Sequence, residues 1–257
     1  MIRRSSPMSA CVAFALAARI TAYCRAVGAG MFKAMINRAI TSVGRRLFDL
    51  YCDPGQALRL RALDDTVNYI QANAIDALGL RTRQKLWDLA LRYVPDQGIL
   101  LEFGVDRGKS LSYFATRLPQ RQFYGFDSFR GNPEDWAGWN APKGVFDRDG
   151  QQPTMPDNVS LVVGLYAESL PVWSGNHHEK IAFIHIDCDL YSSTKVIFDH
   201  LGQRLAPGAV LVFDEYFNYT NWRAHEYRAF QEFIEREGLR YRYLGYSTQQ
   251  VAILLER

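Results

Sequence analysis

Four cysteines in 257 residues, none spaced as a C-x-x-C pair, exclude a zinc ribbon and a disulfide framework and favour a reducing compartment. No apolar run reaches the length of about 18 residues that a spanning helix needs. Neither G-x-G-x-x-G nor H-E-x-x-H occurs, so neither a nicotinamide fingerprint nor a zincin is implied. Acids are missing from residues 1–48, which carry eight cations. That leaves 22 of the 30 cations against all 27 acids in the rest, a mildly acidic body under a net charge of +3. Such a body is a poor nucleic-acid binder. With 48% hydrophobic and 22% charged residues the composition is that of a globular chain.

The basic N-terminal segment has several readings. Residues 8–18 follow Arg3 and Arg4 and resemble a secretory signal with Ala-Leu-Ala as its cleavage site. An organelle-targeting segment and a helix resting on a membrane surface are the alternatives. Phe32, Met35, Ile36, Ala39, Ile40, Val43 and Leu47 recur at spacings of three and four, which predicts a helix with one apolar face. The reading carried forward is a pair of N-terminal helices. Peripheral membrane contact through residues 1–48 is set aside.

From Asp64 to Tyr93 the pattern is helical, with Leu78, Leu86, Leu89, Ala90 and Tyr93 expected inside. Short apolar runs then alternate with amphipathic stretches. Strands are expected at 99–104, 122–127, 159–164, 181–187 and 209–215, and helices at 110–117, 192–205 and 222–237. The long segment 129–157, rich in Gly, Pro, Asp and Trp, reads as a loop, and 239–246 with 250–256 as an antiparallel pair. The alternation predicts an α/β fold: a Rossmann-like, doubly wound, mostly parallel seven-stranded sheet with an antiparallel C-terminal hairpin edge, plus N-terminal helices. The division expected is a helical segment 1–97 and an α/β domain 98–257.

In such a sheet the ligand site lies beyond the carboxyl ends of the strands. Four features fall there. EFGVDRGKS (102–110) offers Gly104 for a sharp turn and Gly108 for close approach of a helix start to a ligand. Asp127 can accept both hydroxyls of a ribose. HIDCDLYSST (185–194) places Asp187 and Asp189 two apart, with Asp189 read as the cap of the next helix alongside Ser192 or Ser193. FDEYFNY (213–219) adds Asp214 and Glu215, and three or four carboxylates at one sheet end suit a hard cation. Trp136, Trp139, Phe146 and Trp173 either line a pocket or pack the long loop. His177 and His178 read as exposed, and Cys188 as core.

Together LEFGVDRGKS, YGFDSFRGNPEDW, FIHIDCDLYSSTK, FDEYFNYTNWRAHEYRAF and RYRYLGYSTQQVAI resemble the class I S-adenosylmethionine-dependent methyltransferases, and more narrowly the macrocin O-methyltransferase (TylF/MycF-type) family. The resemblance spans about 95 to 256. It implies that Glu102 and Gly104 hold the methionine part of the cofactor and that Asp127, with Ser128 beside it, holds the ribose. It assigns the adenine to Gly164, Leu165 and Tyr166. It further implies a magnesium ion on Asp187, Asp214 and Glu215. Asp187, the central acid, is read as the catalytic base as well; in the rival reading without metal it is a simple general base, with Lys195 or His225 offsetting the charge. The Asp-Glu pair departs from the Asp-Asp of the sugar-modifying members. The function implied is O-methylation of a small polar acceptor, a sugar hydroxyl, in the cytoplasm where the cofactor is made. The N-terminal helices would then select substrate or join copies of the chain. The alternatives are a nicotinamide-dependent oxidoreductase and a non-catalytic cofactor-binding or membrane-associated partner protein.

Overall fold

A computed structural model describes residues 30–139 and 141–256. The run at 8–18 and its Ala-Leu-Ala lie outside the described residues. The chain divides into two compact units, Met1–Leu58 and Arg59–Arg257. In chain order the elements are α1 (Gly30–Cys52), α2 (Pro54–Asn73), β1 (Leu78–Gly79), α3 (Arg83–Leu91), β2 (Ile99–Phe103), α4 (Lys109–Arg117), β3 (Phe123–Asp127), β4 (Val159–Val163), α5 (Tyr166–Asn176), β5 (Ile181–Ile186), α6 (Tyr191–Leu201), β6 (Leu205–Phe213), α7 (Glu226–Glu237), β7 (Arg240–Tyr246) and β8 (Val251–Glu256). Among the described residues no helix is long and apolar enough to cross a membrane.

The sheet runs β1-β7-β8-β6-β5-β2-β3-β4. Strands β4, β3, β2, β5 and β6 are parallel, and β8 is antiparallel to both β6 and β7. The sheet has eight strands where seven are expected, because the two-residue β1 pairs with β7 (Leu78 opposite Gly245). That pairing also breaks the helix expected over 64–93. The chain leaves α2 at Asn73 and re-enters a helix only after Thr82, whose Oγ1 accepts the N–H of Lys85 at 3.4 Å as a cap. Leu78 and Tyr93 are accordingly exposed, while Leu86 and Ala90 are buried.

Strand alternation sorts the core into two layers. Leu101, Phe103, Ile184, Ile186, Leu211 and Phe213 face α6 and α7 through Ile197, Phe198, Phe230 and Phe233. Leu100, Phe183, Val210 and Val212 face α3 and α4 through Leu86, Trp87, Leu111 and Phe114. Strands buried on both faces explain the near-continuous apolar runs. The same alternation decides where the acids at the strand ends go.

Candidate active site

A cavity of about 550 Å³ opens at the carboxyl ends of the parallel strands, within the size range of ligand pockets. The first loop is set by Gly104, at φ +93°; a Cβ there would lie 1.6 Å from the carbonyl oxygen of Asp187. Only glycine permits that approach. Asp127 at the end of β3 ties the loop down: Oδ2 accepts the N–H groups of Val105 and Asp106, each at 2.8 Å, and Oδ1 accepts that of Phe129 at 2.7 Å. A carboxylate has about four acceptor positions, so roughly one is left for a ligand. Gly104, Asp127, Ser128, Gly164, Leu165 and Tyr166 all line the cavity.

Glu102 is not among the lining residues. It shares the face of Leu100, turned towards α3 and α4, and is fully buried. Oε1 accepts from Ser110 Oγ at 3.0 Å, and Oε2 lies 2.9 Å from Nδ1 of His185, its register partner on β5. His185, also fully buried, sits edge-on to Trp87 and Phe114. Its Nε2 faces Asp214 Oδ1 at 3.9 Å, and neither atom has a hydrogen-bond partner among the described residues. Burial alone would lower the imidazole pKa, but Asp214 and Glu102 outweigh it and raise it to about 10. Burial would likewise raise Asp214, yet the facing His185, followed by Arg83 at 3.5 Å, holds it below its ordinary value. An imidazolium therefore underlies the acidic end of the site and partly neutralises it.

Asp187 follows β5 at the cavity wall and belongs to two sets whose ligand atoms lie within 4.8 Å of one another: His185, Asp187 and Asp214, and Asp187, Asp189 and Glu215. Asp214 and Glu215 thus join different sets, and the expected trio of Asp187, Asp214 and Glu215 is divided. Alternation at the end of β6 is the reason: Asp214 has the parity of Val212 and Glu215 that of Phe213. Burial, then the charge of Asp214, pushes the Asp187 carboxyl well above its usual range. Burial likewise raises Glu215, with Asp214 and Asp187 adding to it, and its Oε2 has no hydrogen bond among the described residues.

Asp189 is not the cap of α6. Leu190 holds that position without a side-chain bond, and Asp189, at φ +66°, turns Oδ2 to the amide of Asn132 at 2.8 Å. Burial pushes its carboxyl up to about 6. Lys195, which the metal-free reading would set against Asp187, pairs with Asp199, and His225 Nε2 lies 2.9 Å from Ala137 O. Trp136, Trp139 and Phe146 line the cavity, whereas Trp173 packs edge-on against Phe126.

Glu226 is the residue that sequence reading missed. Fully buried at the first turn of α7, it accepts the backbone N–H groups of Cys188 (3.3 Å) and Asp189 (3.1 Å) on Oε1 and of Glu215 (3.3 Å) on Oε2. One carboxylate thereby clasps both acid-bearing loops. Its only signal is an acid opening an amphipathic helix, a common placement favoured by the helix dipole. His185 did carry a signal, an imidazole inside an otherwise apolar strand.

Residues 101–216 match the family described as methyltransferase domain. Over 157 residues the chain is 30% identical to the 8-demethyl-8-(2,3-dimethoxy-alpha-L-rhamnosyl)-tetracenomycin-C 4'-O-methyltransferase of Streptomyces olivaceus, covering 51% of this chain and 58% of that protein. The chain therefore spans less than two thirds of that relative. Two solved structures share the fold: calicheamicin methyltransferase (23% identity, TM-score 0.55, 84% of this chain and 92% of that one) and the O-methyltransferase NovP (20%, 0.51, 68% and 80%).

Proposed function

We propose that the chain is an S-adenosylmethionine-dependent O-methyltransferase acting on a sugar hydroxyl of a small-molecule acceptor in the cytoplasm. The observation that carries this reading is one cavity uniting the Gly104 loop, Asp127 and the carboxylates around Asp187. The rhamnosyl substrate named for the Streptomyces relative supports a sugar as acceptor. The residues fit the cofactor: a Cβ-free loop at Gly104 and Gly108, an acid at the end of β3, and a wall formed by Gly164, Leu165 and Tyr166.

The cofactor supplies an electrophilic methyl group on a sulfonium. The chain's part is to align the acceptor, which removes up to about 7–11 kcal/mol of barrier, and to take its proton. Asp187 is assigned as the base, and burial and then the neighbouring Asp214 raise its proton affinity. A magnesium ion fits Asp187, Asp189 and Glu215, all oxygen donors, better than the set containing His185, whose raised pKa keeps the ring protonated. There it would make a bound hydroxyl more acidic. The helices before residue 98 are assigned to acceptor selection or to contacts between copies.

Calorimetry with S-adenosylhomocysteine against NAD, followed by radiolabelled methyl transfer to glycosides and phenols, tests the reading. Heat with S-adenosylhomocysteine and label on a glycoside are expected. Heat with NAD alone would replace the reading by the oxidoreductase.

A further inference from the structure

We propose that the stacked pair Trp136–Trp139 is the platform for the acceptor, holding the C–H face of a pyranose ring while its hydroxyls point to Asp187 and Asp189. The proposal rests on the sugar-methylating reading and deepens it.

Most of the loop between β3 and β4 is irregular, yet the part bearing the two indoles is firmly held. The backbone N–H of Trp136 donates to Ala141 O at 2.8 Å, and the two residues form an isolated β-bridge. Gly138, at φ +94°, lies so close to the 219–221 turn that a Cβ would sit 2.2 Å from Thr220 O. His225 Nε2 reaches Ala137 O, and Asn132 reaches Asp189. The loop is thus fastened to the turn after β6, to α7's start and to the acidic end of the site itself.

On this support Trp136 is 2% exposed, and Trp139 lies parallel to it, with centroids 5.0 Å apart and planes 19° apart. Tyr219 meets both rings edge-on, at 5.7 and 5.5 Å. The stack covers one face of Trp139, and that residue is still 40% exposed while lining the cavity. A large apolar ring, rigidly backed and open to a cavity that carboxylates also line, matches the two-faced chemistry of a sugar. The C–H bonds of a pyranose face carry slight positive charge and meet the negative face of an indole. Its hydroxyls donate to carboxylates. A phenol offers the ring but only one or two hydroxyls, so it uses half of the arrangement.

The test is saturation-transfer NMR of methyl α-L-rhamnopyranoside on the full chain with S-adenosylhomocysteine present, alongside calorimetry of S-adenosylhomocysteine. For wild type, saturation concentrated on the protons of one ring face is expected. Trp139→Ala should weaken glycoside binding about tenfold, a loss of about 1.4 kcal/mol. Trp139→Phe keeps a π face and should stay within about threefold of wild type. Affinity for S-adenosylhomocysteine should be the same in all three, which also shows that the variants fold. Unchanged glycoside binding in Trp139→Ala overturns the platform. So does a wild type that binds S-adenosylhomocysteine and phenol but no glycoside, while the methyltransferase reading survives. A wild type that fails to bind S-adenosylhomocysteine removes that reading, and the platform with it.

Discussion

Asp127 has two tasks in one carboxylate. Its three accepted backbone N–H bonds form the turn that carries Gly104 to Asp187, and its remaining acceptor capacity faces the cavity. Bonds to a charged group contribute about 1.5–3 kcal/mol each, so Asp127→Ala should weaken S-adenosylhomocysteine binding at least about tenfold in calorimetry. It should also lower Tm, because the amides of Val105, Asp106 and Phe129 lose their acceptor. Lost affinity with an unchanged Tm would mean that the loop stands without it. Gly104 is harsher still. At φ +93° and 1.6 Å from a backbone oxygen, an added methyl group has no flexible neighbour to displace. Gly104→Ala should leave little folded protein at 37 °C by circular dichroism; a stable, active variant would show that the loop can move away from β5.

At the level of the elements, Glu226 does for the two acid-bearing loops what Asp127 does for the glycine loop. Glu226→Gln replaces one accepting oxygen with a donor that would face other N–H groups. Amide exchange at Cys188, Asp189 and Glu215 should therefore speed up about tenfold or more, with the β2–β5 amides unaffected. Protection unchanged at those three positions would show that the loops hold by themselves. The strands could be read in the sequence because burial on both faces writes a plain apolar run, as in ILLEF and IAFIHI. α5 could not: YAESLPVWSGN holds Pro171 in its interior and buries only Leu170 and Trp173, so no apolar stripe marks it. The break between α2 and α3 was hidden because β1 is two residues long and is specified by its partner on β7. In the site, residue types were legible but facing was not. Asp214 turns its carboxylate towards His185, whereas it is the backbone N–H of Glu215 that Glu226 holds. Glu102, by its parity on β2, points at His185 and is not among the residues that line the cavity.

On the scale of the whole molecule, every group assigned to cofactor binding lies beyond residue 98. Deleting residues 1–30 should leave the affinity for S-adenosylhomocysteine within about twofold; a large loss in a folded variant would assign part of the cofactor site to that segment. The crowded acids also make stability depend on pH, with a definite sign. Burial raises Asp189 to about 6 and Glu226 to about 8 from ordinary values of 3.8 and 4.5, and it raises Asp187 and Glu215 as well. A raised acid holds its proton in the folded state after the unfolded chain has released it. Its stabilisation is complete below the unfolded pKa and is lost as pH climbs through the folded one. His185, raised from 6.5 to about 10, works in the same direction above pH 6.5, and Asp214, lowered, opposes only below its ordinary 3.8. In EDTA, Tm should therefore fall between pH 5 and pH 8, by about 2–4 °C for each kcal/mol lost. If Asp187, Asp189 and Glu215 hold magnesium, adding it at pH 8 should recover much of that loss, since a ligand bound only by the folded state stabilises it. The same addition at pH 5, where Asp189 and Glu226 keep their protons, should do little. A Tm that rises from pH 5 to pH 8 in EDTA would show that the acids are already paid off by solvent or cations, and a magnesium shift equal at both pH values would place the ion elsewhere.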